Sequence, residues 1–179
     1  LGLYTLLSCC SDLRLESIYT PLEKILLPIM ENDLQSSIPV VIASVFTTAE
    51  GILPISTEKL FGKFIEKTLL MFPSSWNLFN DNYESGSFVI NSQLSFYICL
   101  LTYQSSKYAD KLVTNALFGN LANEKFWSSI VQRFITSTTS TASDLYIKTA
   151  TKAIRVMILL SIIISSKNDV INYLIYEYF

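Results

Sequence analysis

Residues 153–164 read AIRVMILLSIII, the most apolar run in the chain, and whether they cross a membrane or pack inside a protein decides the class of the molecule. Arg155 lies within the run, Lys152 precedes it and Lys167 follows, so only 11 uncharged residues separate Arg155 from Lys167. At about 1.5 Å per residue a helix of that length covers roughly 16 Å of a hydrocarbon core about 30 Å thick. Snorkelling by the flanking cations stretches this reach but does not double it. A second run, SSIPVVIASVFTTA (Ser36 to Ala49), has 14 uncharged residues, several hydroxylated, and contains Pro39. Apolar runs this short belong to buried helices, and a helix apolar on nearly all sides belongs in a protein interior. The run therefore reads as a core helix, with no transmembrane span.

The composition raises the question of what covers such a protein. Half of the 179 residues are apolar and only 16% are charged, against roughly 25% in ordinary soluble domains, and mean hydropathy is +0.39. So few charges leave part of the surface apolar, which calls for a protein partner, self-association or a lipid. At 179 residues the chain reads as one helical domain (1–179), and because it opens on Leu1 where an initiating Met would stand, as a fragment of a longer chain or a processed product. A net charge of −2 gives no general attraction to nucleic acid, leaving only a local basic patch for such contact. Three cysteines, of which Cys9 and Cys10 are adjacent, make no disulfide framework. They read as reduced thiols in the cytoplasm or nucleus.

Helical signals recur along the chain. TPLE (Thr20 to Glu23) has a capping residue, a first-turn proline and a capping-box glutamate, so a helix is expected to start there and to kink at Pro28. Pro39 opens a second helix, through about Glu50, and Ser56 or Thr57 caps a third that ends before Pro73. PSSWNLFNDNYESGS (Pro73 to Ser87) reads as the longest polar interruption, a loop or a break between subdomains at 73–87. Periodicity returns over 91–103, 106–119 and 123–135, with Gly119 a terminator and Asn123 a cap. TSTTSTAS (Thr136 to Ser143) reads as a polar connector, a long helix follows from about Asp144 to Ser165, and Asn168 caps a last one. SFVIN (Ser87 to Asn91) is the only candidate strand, and a weak one.

The expected class is thus all-α, with about eight helices in antiparallel pairs. The pairs start near residues 20, 57, 106 and 143, intervals that bracket the 40–47-residue period of HEAT and armadillo repeats. The pairs do not resemble one another in sequence, so an irregular HEAT-like α-solenoid segment and a helical bundle both fit.

Motifs for chemistry are short and lack their context. With no histidine, Ser-His-Asp and Cys-His catalysis are excluded, as are most zinc sites with nitrogen ligands. Tyr103 and Lys107 form a YxxxK pair, but no glycine-rich nucleotide turn accompanies it. Ser56 and Lys59 match SxxK without a companion motif, and DNYESG (Asp81 to Gly86) lacks the ligands of a calcium loop at Tyr83 and Ser92. The expectation is a protein that is not an enzyme and uses no cofactor or metal.

Two basic stripes remain. Lys59, Lys63 and Lys67 share one helix face, diluted by Glu58 and Glu66, whereas Lys148, Lys152 and Arg155 have fewer acids around them. The second stripe is the candidate edge of a partner-binding groove or helix face, able to receive an acidic peptide or a phosphate. The aromatic end YLIYEYF offers Tyr173, Tyr176, Tyr178 and Phe179 as interface anchors. Together these features point to a protein–protein interaction scaffold or adaptor within a larger assembly. A helical bundle that binds a lipid, another apolar ligand or a membrane surface is the alternative.

Overall fold

The computed structural model describes residues 16–53, 58–81, 83–103, 111–136 and 140–167. Seven α-helices and no strand occur among them: α1 (Glu16–Asp33), α2 (Pro39–Ile52), α3 (Glu58–Asp81), α4 (Tyr83–Tyr103), α5 (Lys111–Leu121), α6 (Glu124–Thr136) and α7 (Ser140–Lys167). No helix of the described residues is long and apolar enough to cross a membrane. The last expected helix, with Tyr173, Tyr176, Tyr178 and Phe179, lies outside the described residues, as do Cys9 and Cys10.

The central helix is α4, which packs extensively on α2, α3 and α7. Val89, Ile90, Leu94, Phe96, Tyr97, Leu100 and Leu101 point from it in several directions and are all buried. The aromatic rings knit the layers together: Phe96 lies 5.9 Å from Phe46 of α2 and 6.0 Å from Phe64 of α3, centroid to centroid. Phe79 of α3 meets Tyr146 of α7 edge-on at 5.3 Å. A solenoid repeat contacts only its neighbours, whereas α4 packs on α7, three helices further along. The arrangement is that of a bundle around a central helix.

Several expected boundaries move. The segment 73–87 is helical except for residue 82, which is not described, and SFVIN belongs to α4. Helix α3 passes through Pro73 because its buried face continues beyond it, through Ser75 to Phe79. Proline provides no N–H for the carbonyl four residues back, that of Leu69, and the Asn120 amide of α5 approaches this oxygen at 3.5 Å. One residue earlier the Thr68 carbonyl accepts from Gln93 Nε2 at 2.8 Å and from Tyr97 Oη at 2.9 Å. Side chains from two neighbouring helices thus attend the carbonyls beside the proline. Helix α1 begins by Glu16, ahead of Thr20, and runs through Pro28.

The Ser/Thr connector is shorter than its composition implies. Helix α6 extends through Thr136, whose hydroxyl donates to the Gln132 carbonyl at 2.9 Å, and α7 begins at Ser140. Hydroxyl side chains bond back to the preceding turn in this way and so persist inside helices. Helix α5 runs past Gly119 to Leu121, whose carbonyl accepts from Trp127 Nε1 at 2.6 Å. Asn123 does cap α6, its Oδ1 accepting from the Lys125 N–H at 2.9 Å. Pro39 does open α2, where Ile38 is extended and Ser36 Oγ accepts its N–H at 3.1 Å.

Candidate functional site

The quoted run lies in the C-terminal half of α7, and that helix buries only one face. Tyr146, Thr149, Ala153, Val156, Leu160 and Ile163, spaced by three and four residues, face the bundle and are buried. On the opposite side Ile147, Ile154, Ile158 and Ile162 stand 50%, 50%, 54% and 59% exposed, one above another. The expectation of a core helix is therefore corrected: its outer side is open and apolar. Amphipathicity is hidden in the sequence because large apolar residues occupy both faces, isoleucines outside and Val156, Leu160 and Ile163 inside. Helix α6, which packs on α7, also leaves Val131 and Ile135 exposed.

The cations of the second basic stripe divide into two roles. Lys148 and Arg155 are exposed on one edge of the isoleucine face. Lys152 turns inward, where its Nζ donates to the Asn91 carbonyl at 2.9 Å and to Ser95 Oγ. Burial, with Lys148 nearby, holds the Lys152 ammonium below the usual lysine range, against the opposing influence of Glu50. Burial raises the Glu50 carboxyl above its ordinary range, against the pull of Lys152. Burial and Glu50 together push the half-buried Cys99 thiol up, while Arg155 and Lys152 act in the other direction. Asn91 completes the seam, its Nδ2 donating at 2.9 Å to both the Ser87 carbonyl and Thr149 Oγ1.

This polar seam ties α7 to α4 through Lys152, Asn91, Ser95 and Thr149, and so fixes which face of α7 points outward. Sequence reasoning found Lys152 but not its partners. A signal was available: Asn91, Ser95 and Cys99 recur every fourth residue and must share one face of α4. Glu50, on a different helix, left no such trace. Among the described residues no cluster of three His, Cys, Asp or Glu is placed to hold a metal. In the first basic stripe Lys67 pairs with Glu31 of α1 on the surface, an interaction worth about 0–1 kcal/mol, and Lys63 is exposed. Ser56 and Lys107 lie outside the described residues.

The seam makes stability depend on pH. Folded Glu50 keeps its proton to higher pH than the unfolded chain, whose carboxyl titrates near 4.5. Between those two values the folded state binds more protons, so stability falls as pH rises. Glu50→Gln is expected to remove this slope, so that the variant gains on the parent from pH 4.5 toward neutrality. Urea midpoints of both proteins across that interval check it, and parallel curves would show that Glu50 titrates alike in both states.

No protein-family model, curated protein or solved structure matches the chain.

Proposed function

We propose that the chain is a non-enzymatic protein–protein interaction scaffold or adaptor, and that the outer face of α7 is its docking surface. One observation carries the reading: Ile147, Ile154, Ile158 and Ile162 form an aligned apolar row, with only Thr151 set among them, on a helix whose other side is buried against the bundle. Single exposed apolar residues are ordinary, but an aligned row flanked by cations marks an interaction site. The half-buried free thiol of Cys99 fits an intracellular setting, where thiols stay reduced.

Light scattering on the purified chain and on the double variant Ile154→Ser, Ile158→Ser tests the reading. Without its partner the parent is expected to associate with no single stoichiometry as concentration rises. The variant should stay monomeric with little change in unfolding midpoint, since exposed substitutions cost within about 0.5 kcal/mol. A parent that remains a clean monomer overturns the reading. A lipid-sized adduct in native mass spectrometry would assign the chain to apolar-ligand binding instead.

A further inference from the structure

We propose that the partner docks on α7 as a single amphipathic helix with acidic side chains along one flank, and that a second copy of this chain does not serve. The inference rests on the docking surface proposed above and adds the chemistry of what binds there.

Length and spacing set the form of the partner. From Ile147 to Ile162 the row covers four turns, about 22 Å at the rise of an α-helix. Ile147, Thr151, Ile154, Ile158 and Ile162 follow one another by four, three, four and four residues, the spacing of a seam that meets another helix. Thr151 within that row and Ser161 beside it are small and exposed, and small side chains let a second helix approach closely.

Charge sets its identity. Lys148 and Arg155 are seven residues apart and so lie on the same edge of the seam. Neither makes an ion pair with another described residue. Asp144 stands one turn before Lys148, and Glu50 lies inward beside Lys152. The opposite edge is formed by Ala150 and Met157, both uncharged and half-buried against the core.

Pairing the full isoleucine row with its own copy gives no match in either direction; an antiparallel pair shifted to set Asp144 against Arg155 leaves Ile158 and Ile162 uncovered. Antiparallel helices bring like edges together, which would set Lys148 and Arg155 against the same cations. Parallel helices would set them against Ala150 and Met157, with no acid in reach. A partner helix with Asp or Glu at the two facing positions satisfies both the apolar row and the cationic edge, and electrostatic match of this kind selects partners. A membrane surface fits less well. Helices lying on membranes carry aromatic residues on the apolar face and cations along the polar face, whereas this row has no aromatic residue and cations on one edge only.

The test uses the full chain and fluorescent helical peptides of about three heptads with an identical Leu/Ile seam, flanked in one case by Glu and in the other by Lys. Binding is read by anisotropy, alongside sedimentation with phosphatidylcholine/phosphatidylserine vesicles. The Glu peptide is expected to bind about tenfold or more tightly than the Lys peptide at low salt, with the gap narrowing near 0.3 M salt. Lys148→Glu with Arg155→Glu should reverse the preference, and Ile158→Ser should weaken both peptides. Both variants alter exposed positions, and an unchanged unfolding midpoint confirms that they fold. Equal binding of the two peptides overturns the acidic flank and leaves the docking surface intact. Binding of neither overturns both, and vesicle uptake in that case assigns the face to a membrane. A defined dimer of the parent that Ile158→Ser dissociates overturns the exclusion of a second copy.

Discussion

Phe96→Ala is expected to lower the unfolding free energy by about 3–5 kcal/mol, the usual cost of removing a buried aromatic ring. Phe96 has no exposed surface and stands at the junction of three helices, meeting Phe46 of α2, Phe64 of α3 and its neighbour Tyr97. The cavity left by the ring would be lined by other rings held on separate helices, and these cannot all move inward together. For a chain of this size the loss corresponds to a melting temperature roughly 10 °C lower. Phe96→Leu keeps most of the volume and should cost clearly less. A loss under about 1 kcal/mol for Phe96→Ala, measured by urea unfolding, would mean that α4 is not the centre of the bundle.

Gly86→Ala sets two effects against each other. Alanine favours a helix over glycine by about 1 kcal/mol, and Gly86 lies in the first turn of α4, so propensity alone predicts stabilisation. Yet a Cβ there would meet the backbone of Leu78 and Phe79, within 2.6 Å of the Leu78 carbonyl carbon. Backbone atoms cannot rotate away as a side chain would, so α3 and α4 must separate. Overpacking of this kind costs about 1–3 kcal/mol, and contact with main-chain atoms places it at the upper end. The expected result is a net loss of about 2 kcal/mol, once the propensity gain is set against the clash. Gly62→Ala is the control, because its Cβ would meet nothing within 4 Å. If both variants proved equally stable, the close approach of α3 and α4 at Gly86 would not exist in solution.

The same corner explains why 73–87 reads as a loop. Pro73, Asn77, Asp81 and Gly86 are breakers by local propensity, and only packing overrides them. Trp76 and Leu78 rest on the core, Phe79 is fully buried, and the glycine is present so that two helices can touch. In α4, Asn91, Gln93 and Ser95 interrupt the apolar pattern enough to disguise the central helix among the described residues. Asn91 and Gln93 are tolerated because their amides donate to acceptors on other helices, Gln93 to the Thr68 carbonyl and Asn91 to Thr149 Oγ1. Such acceptors are set by tertiary structure and leave no local mark.

By itself, then, the sequence determined the helical class, the absence of a membrane-length helix among the described residues, the caps at Pro39 and Asn123, and the place of Lys148 and Arg155 on one helix edge. These depend on chain-local quantities: run length, three-to-four-residue periodicity and the hydrogen bonds of helix ends. Only the tertiary structure decided which helix is central, that the run 153–164 turns an isoleucine face outward, and that Lys152 points in while Lys148 and Arg155 remain out. Isoleucine has the same hydropathy on either side of a helix. The direction it faces is fixed by what the other side binds, here the seam of Asn91, Ser95 and Lys152 and the buried row from Tyr146 to Ile163.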